Sequence, residues 1–281
     1  TAGTDTLVGF EVLIGGAGND SIGYAVSGWY DGLVLDGASG TADSLDLSVV
    51  ATDTAKGVAF DLNTSFTDAQ SGLTSLGRVV YNAETMFIKN IEAVTGGAGD
   101  DSFAGSVADE FFHGAGQTTL AGGGDVLDHR NAGGGIALTI NYGTLDGNIY
   151  GTSSGTTEGN DSFDGIERFL LSDNYADSYS FANGVYPATP LNFYVDAGGQ
   201  GGAGNRDTAS YHWSSSALSV NLSLNTGVST AIVQGVGAGT KVGTDTLLGF
   251  EDLTLTADAY GSTVSGLASG MRIYANGNGD T

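Results

Sequence analysis

The sequence predicts an all-β protein, a right-handed parallel β-solenoid (β-roll or β-helix), from three observations. Forty-eight of its 281 residues are glycine and only two are proline. Apolar residues make up 40% of the chain and alternate in short runs bounded by glycine. One phrase returns at intervals of about 80 residues, and copies at a fixed period are most simply stacked. Alternation alone also allows a sandwich, so the repeat decides the reading.

The phrase is Gly3-Thr4-Asp5-Thr6-Leu7-Val8-Gly9-Phe10-Glu11. It returns as Met86-Phe87-Ile88-Lys89-Asn90-Ile91-Glu92, as Gly159 to Glu167, and as Gly243 to Glu251. The four glutamates stand 81, 75 and 84 residues apart. They divide one continuous unit, 1–281, into a partial cassette over 1–40 and cassettes over about 41–121, 122–200 and 201–281. A second glycine-and-acid phrase contains Asp43, Asp125, Asp207 and Asp280 in turn. An alternating strand follows each of the first three, over 58–62, 136–140 and 218–222, with one row of side chains inward. The polar stretch before the next glutamate, such as 142–158, reads as loop or irregular rung. Helical periodicity persists nowhere.

Thirty-two acids against eight Lys and Arg give a net charge of −24, which repels nucleic acid and anionic membrane surfaces. No apolar stretch is long enough to insert in a membrane. The absence of cysteine excludes disulfides and thiol chemistry. Thr1 begins within the pattern, with no signal peptide before it, and this reads as a fragment of a larger chain.

Two turns concentrate the chemistry, Gly15-Gly16-Ala17-Gly18-Asn19-Asp20 and Gly96-Gly97-Ala98-Gly99-Asp100-Asp101. Glycine makes positive φ and close backbone approach cheap, and the acids set hard oxygen ligands beside free carbonyls. Gly-Gly-x-Gly-x-Asp followed by an alternating apolar residue resembles the calcium-binding nonapeptide of the RTX (repeats-in-toxin, hemolysin-type) family. A nine-residue beat runs on through Gly96, Gly105, Gly114 and Gly123, beside an apolar beat at Phe103, Phe112, Leu120 and Leu127. The resemblance implies Ca2+ between stacked turns, held at Gly15, Gly16, Gly18 and Asp20 and at Gly96, Gly97, Gly99 and Asp101. Asn19 and Asp100 occupy the variable position and place a further oxygen there. Asp43 and Asp125 are poorer matches in the second phrase. The third and fourth cassettes depart from the motif. Ser172-Asp173-Asn174-Tyr175-Ala176-Asp177 and Thr256 to Gly261 lack its glycines and read as structural corners without metal.

Paired glutamates suit glycoside hydrolysis, but a group recurring with equivalent neighbours belongs to architecture, accepting backbone N–H bonds at a corner. His113, His129 and His212 make no zinc pattern. Trp29, Tyr30, Tyr211, His212 and Trp213 are candidates for a sugar-stacking platform, with core packing the plainer reading. The expectation is a non-catalytic, calcium-stabilised structural module of a secreted or cell-surface bacterial protein: an extender, adhesin or surface-array segment. The alternatives are an accessory module of a secreted enzyme, or a carbohydrate-binding solenoid. The resemblance further implies export of the unfolded chain (type I secretion) and folding outside the cell. End-to-end self-association or a surface polysaccharide supplies the expected partner.

Overall fold

The computed structural model describes residues 11–24, 31–49, 51–115, 123–141, 150–181, 191–199, 206–212, 217–225, 228–236, 242–255, 261–266 and 270–275. These are all-β, with no helix among the described residues. The chain runs through β1 (Val12–Ile14), β2 (Ser21–Gly23), β3 (Val34–Asp36) and β4 (Ser44–Asp46). A three-stranded meander follows, β5 (Ala59–Thr67), β6 (Thr74–Tyr81) and β7 (Glu84–Lys89). Next come β8 (Ala93–Thr95), β9 (Ser102–Ala104), β10 (Phe111–His113) and β11 (Val126–Asp128). The second meander is β12 (Ile136–Asn141), β13 (Tyr150–Gly155) and β14 (Gly159–Asp164). Then β15 (Arg168–Leu170), β16 (Ser178–Phe181), β17 (Tyr194–Asp196) and β18 (Thr208–Ser210) lead to a third, β19 (Ala217–Asn225), β20 (Val228–Val236) and β21 (Thr244–Leu248). The last described strands are β22 (Asp252–Thr254), β23 (Thr263–Gly266) and β24 (Arg272–Tyr274).

Outside the meanders, successive strands alternate between a thirteen-stranded and an eleven-stranded sheet and pair in parallel. Each meander is entered at its far strand. β7, not β5, pairs with β3, and β5 pairs with the later β9. The other two repeat this, β14 on β10 with β12 on β16, and β21 on β17 with β19 on β23. A meander adds two strands beyond a simple pass. Two lie in the larger sheet and one in the smaller, so thirteen less four and eleven less two both leave nine.

The expected strands over 58–62, 136–140 and 218–222 fall in β5, β12 and β19, the first strand of each meander. The stretch 142–158 differs from the expectation. Where it is described it is largely strand, because β13 bonds antiparallel to both of its neighbours. Polar Gly, Ser and Thr suffice for such a strand when both of its edges are paired.

The stacking of copies also differs. The turn holding Glu92 leads from the larger sheet to the smaller, that of Glu167 leads back, and that of Glu251 leads across again. Between one glutamate and the next the chain makes four single passes and one meander, an odd number of crossings. Successive copies therefore lie on opposite edges of the two sheets.

Most single-pass strands are three residues long with the central side chain inward and its neighbours half exposed. The central residues include Leu35, Leu45, Val94, Phe103, Phe112, Leu127, Phe169 and Val195, all essentially inaccessible to water. Rings stack along and between the sheets, with Phe60 on Phe103 at 5.1 Å and Phe103 against Phe112 at 5.6 Å. Phe103 and Phe112 keep the expected nine-residue beat on facing strands, while Leu120 lies outside the described residues.

Candidate functional site: ladders of buried carboxylates

A chain that turns between two sheets every few residues leaves backbone N–H groups at each corner with no strand partner. Acidic side chains supply the acceptors here. In the first ladder the N–H of Asp20 donates to Asp43 Oδ1 at 2.7 Å, and the N–H of Asp43 donates to Glu92 Oε2 at 2.8 Å. The second runs from Val58 N–H to Asp101 Oδ1 (2.6 Å), Asp101 to Asp125 (2.7 Å) and Asp125 to Glu167 (3.1 Å). The third runs from Ile136 N–H to Asp177 (2.6 Å), Asp177 to Asp207 (2.7 Å) and Asp207 to Glu251 (2.8 Å). Ser262 Oγ begins a fourth by accepting the N–H of Leu218 at 3.4 Å.

Each ladder ends in a reciprocal clamp. Glu92 and Ala93 N–H return to the carbonyl of Asp43, Glu167 and Arg168 to that of Asp125, and Glu251 and Asp252 to that of Asp207. Since a meander lies between the partners in sequence, the clamp ties its entry to its exit. The residue two before each glutamate must adopt a left-handed conformation. Gly165 and Gly249 have φ of 64° and 77°, and Asn90, with φ of 50°, does the same in the copy without glycine. The glutamates thus accept backbone N–H bonds at corners.

The glycine turns bring each aspartate back over its own turn. Asp20 Oδ2 accepts from Gly16 N–H at 2.6 Å and Asp101 Oδ2 from Gly97 N–H at 2.7 Å. A Cβ on Gly15 would stand 2.5 Å from Asp20 Oδ2, and one on Gly96 would overlap Asp101 Oδ2. Gly97 is pressed against Ala51 and Gly99 against the carbonyl of Lys56, whereas Gly18 has open space around it. Asn19 Oδ1 accepts from Thr41 N–H at 3.1 Å. Asp100 borders Gly123, and its Oδ1 is buried with no hydrogen-bond partner.

The third corner works without glycine. Ser172 Oγ–H reaches both oxygens of Asp177, at 2.7 and 2.9 Å, in place of a turn N–H. Asp177 is only 2% exposed, so it is as much part of a ladder as Asp101. The corresponding segment of the fourth cassette, 256–260, lies outside the described residues, as do Asp280, Trp29, Tyr30 and Trp213. Of the other aromatic candidates, Tyr211 is buried and donates its hydroxyl to Asp245 Oδ2 at 2.6 Å, which is a core role.

Burial dominates the electrostatics of the ladders. It pushes Asp125 up to about 9 and Glu167 to about 8, with neighbouring acids adding to the rise against their backbone hydrogen bonds. Burial likewise raises Asp207 to about 7 and Asp101 and Asp177 to about 6. Asp43, Asp125 and Asp207 each keep one buried oxygen, Oδ2, without a hydrogen-bond partner, as does Glu167 at Oε1. An unpaired carboxylate oxygen in such a place calls for a proton, a water or a cation. Two further acids were not singled out from the sequence. Asp161 accepts from Glu110 N–H at 3.1 Å and Asp245 from Phe193 N–H at 3.0 Å. Their signal was the shared phrase Gly159-Asn160-Asp161 and Gly243-Thr244-Asp245.

The donor set bears on calcium in two ways. Both oxygens of Asp101 already face N–H groups, and no three acidic or histidine side chains converge as a metal cage among the described residues. Partnerless carboxylate oxygens lie instead at the second-phrase aspartates, with Asp100 and Glu167 beside Asp125, and at Asp161. Two clefts, of about 150 and 130 Å³, share Ser106. One is lined by Glu92 and Glu110 and the other by Thr157 and Glu158. His129, buried, meets Ser153 Oγ at 3.0 Å through Nε2 and Glu158 at 3.6 Å through Nδ1, and Ser153 is buried as well. No helix long and apolar enough to cross a membrane occurs among the described residues. No protein-family model and no curated protein matches the chain.

Proposed function

We propose that the protein is a non-catalytic structural module. In this reading it is a right-handed β-solenoid of about 80-residue cassettes that forms a stiff segment of a secreted or cell-surface protein and is stabilised by calcium. One observation carries the reading: the same carboxylate arrangement recurs three times, and each copy is spent on backbone N–H groups. An active site is needed once, whereas a scaffold needs its corner at every repeat. Among the described residues the two clefts that share Ser106 are small, and His129 and Ser153 are both buried.

Calcium enters through the partnerless oxygens. With a net charge of −24, the folded chain holds acids close together, and a cation that binds only the folded form stabilises it. Asp43 and Asp125, with Asp100 beside the latter, are the residues that would receive it, with remaining ligands from water and carbonyls. In the RTX resemblance the same coupling delays folding until the chain meets calcium outside the cell. Thermal melts by circular dichroism, in chelator and then with calcium at about 1 mM, test the reading. A higher melting temperature with calcium, and none with magnesium at equal concentration, is expected. Superimposable melts with calcium and chelator would overturn the calcium part.

A further inference from the structure

The three meanders place four buried side chains in equivalent positions. Leu33, Glu110 and Phe193 each lend a carbonyl to the last strand of a meander, accepting from the N–H of Phe87, Ser162 and Thr246. Met86, Asp161 and Asp245 stand in that strand, opposite Val79, Ser153 and Val233 of the middle strand. Leu47, His129 and Tyr211 follow the strand that leads into each meander and donate their N–H groups to Thr95, Leu170 and Thr254. All of them are buried. The first meander fills the four places with Leu33, Leu47, Val79 and Met86. The third has one polar pair, in which Tyr211 donates to Asp245 at 2.6 Å. The second alone fills all four with polar groups, Glu110, His129, Ser153 and Asp161. A buried polar set present in one copy of three is not something the repeated corner requires.

Within this set two carboxyl groups face each other. Asp161 Oδ1 takes the N–H of Glu110, while its Oδ2 meets no donor and faces the Glu110 carboxyl group. A Cβ on Gly105 would lie 3.3 Å from Asp161 Oδ2 and 3.3 Å from Glu110 Oε2. Glu110 also closes its own corner, accepting from Ser106 N–H at 3.2 Å and from Ser106 Oγ–H. The surroundings bring no compensating charge to the pair. His129 is turned to Ser153 and Glu158, and the Glu158 charge adds to the repulsion. Lys89 and Glu92 line the same cleft as Glu110, Asp109 accepts from Asn160 N–H, and His113 pairs with Asp164 on the outward side of β10 and β14. Among the described residues no three acidic or histidine side chains converge there as metal ligands. Facing carboxyl groups attract when one keeps its proton. Burial, with Glu110 adding to it, pushes Asp161 up to about 9, and burial raises Glu110 as well.

We propose that Glu110 and Asp161 share one proton, and that its loss opens the corner at 105–110, a pH-dependent latch on the second meander. Ionised, the two carboxylates repel. Asp161 is fixed in β14 between β10 and β13, so Glu110 gives way. The cleft of about 150 Å³ that Glu110 lines gives its carboxylate a path to water. Its departure leaves the N–H and hydroxyl of Ser106 without their acceptor, and the turn loosens. A carboxyl of raised pKa loses its stabilising contribution as pH rises through the folded value, so the latch is shut at neutral pH and opens near pH 9. None of this rests on calcium binding.

The full chain has no cysteine, so a single introduced cysteine carries a spin label to one place. Val107 is 78% exposed within the corner, and Val49, 68% exposed in the turn after β4, serves as control. In chelator, the Val107→Cys label is expected to gain mobility in one step centred near pH 9, and the Val49→Cys label to show no such step. Glu110→Gln removes the step, because its amide donates to Asp161 with no proton to lose. Asp161→Asn does the same from the other side, and circular dichroism confirms that both variants fold. Infrared spectra at about pH 8, below the opening, should show one more un-ionised carboxyl in the wild type than in either variant. A Val107 label that stays flat beyond pH 9, a step that survives both substitutions, or equal un-ionised carboxyl in all three proteins overturns the proposal. So does loss of that extra carboxyl when manganese is added at the same pH, since a cation would then be the bridge.

Discussion

The corners at 96–101 and 172–177 carry the same load with different side chains. In both, an aspartate accepts the N–H that precedes a meander, Val58 for Asp101 and Ile136 for Asp177, and passes its own N–H to the next aspartate. The first closes over its turn through Gly97 N–H and the second through the Ser172 hydroxyl. The glycines answer to crowding. Without them, side chains would collide with Asp101, Ala51 and the Lys56 carbonyl. The second corner has no such glycines, and there a serine hydroxyl serves in place of the turn N–H. A glycine-rich acidic turn thus has a complete steric and hydrogen-bonding explanation before any metal is invoked, and what calcium adds must be measured above that baseline.

The largest expected effect acts on both corners at once. A carboxyl whose folded pKa is raised holds its proton more tightly when folded. Its stabilising contribution is full below the ordinary value of 3.8 and is lost as pH rises through the folded value. With Asp101 and Asp177 at about 6, Asp207 at about 7, Glu167 at about 8 and Asp125 at about 9, the melting temperature in chelator should fall steadily from pH 5 to pH 9. Asp125 and Glu167 titrate over the higher part of that range. A melting temperature that rises across this interval would show that the carboxylates are charged and satisfied by hydrogen bonds alone.

Substitution of the two leading aspartates comes next. Asp101→Ala strands the N–H groups of Val58 and Gly97, and Asp177→Ala strands that of Ile136 and the Ser172 hydroxyl. Leaving two buried donors unpaired should cost about 3 kcal/mol in each case, in chelator. Chemical denaturation measures it. If calcium is held at the glycine corners, Asp101→Ala loses in addition the calcium-dependent gain that Asp177→Ala retains. Equal loss of that gain in both variants would erase the distinction between the corners.

The smallest effect tests the glycine account. Gly96→Ala must push Asp101 aside, and overpacking of this kind should cost about 2 kcal/mol with or without calcium. Gly18→Ala, whose Cβ meets nothing within 4 Å, should cost about 0.5 kcal/mol or less. Equal costs at the two positions would remove crowding as the reason for glycine.

The sequence by itself determined the strands, because apolar residues at every second position can bury only as β-structure, and Phe103, Phe112 and Leu127 read directly as inward. It determined the corners too, since Glu92, Glu167 and Glu251 stood out as acids recurring in one phrase. Three things were decided only in the tertiary structure. The polar β13 has no period of its own and is strand only because β12 and β14 flank it. The alternation of copies between edges follows from the number of sheet crossings, which no single motif encodes. The pairing of Asp43 with Glu92, Asp125 with Glu167 and Asp207 with Glu251 joins residues separated by a whole meander. Which oxygens stay free, and where a cation has reason to go, depends on those long-range bonds, because a carboxylate's chemistry is set by the donors the fold brings to it.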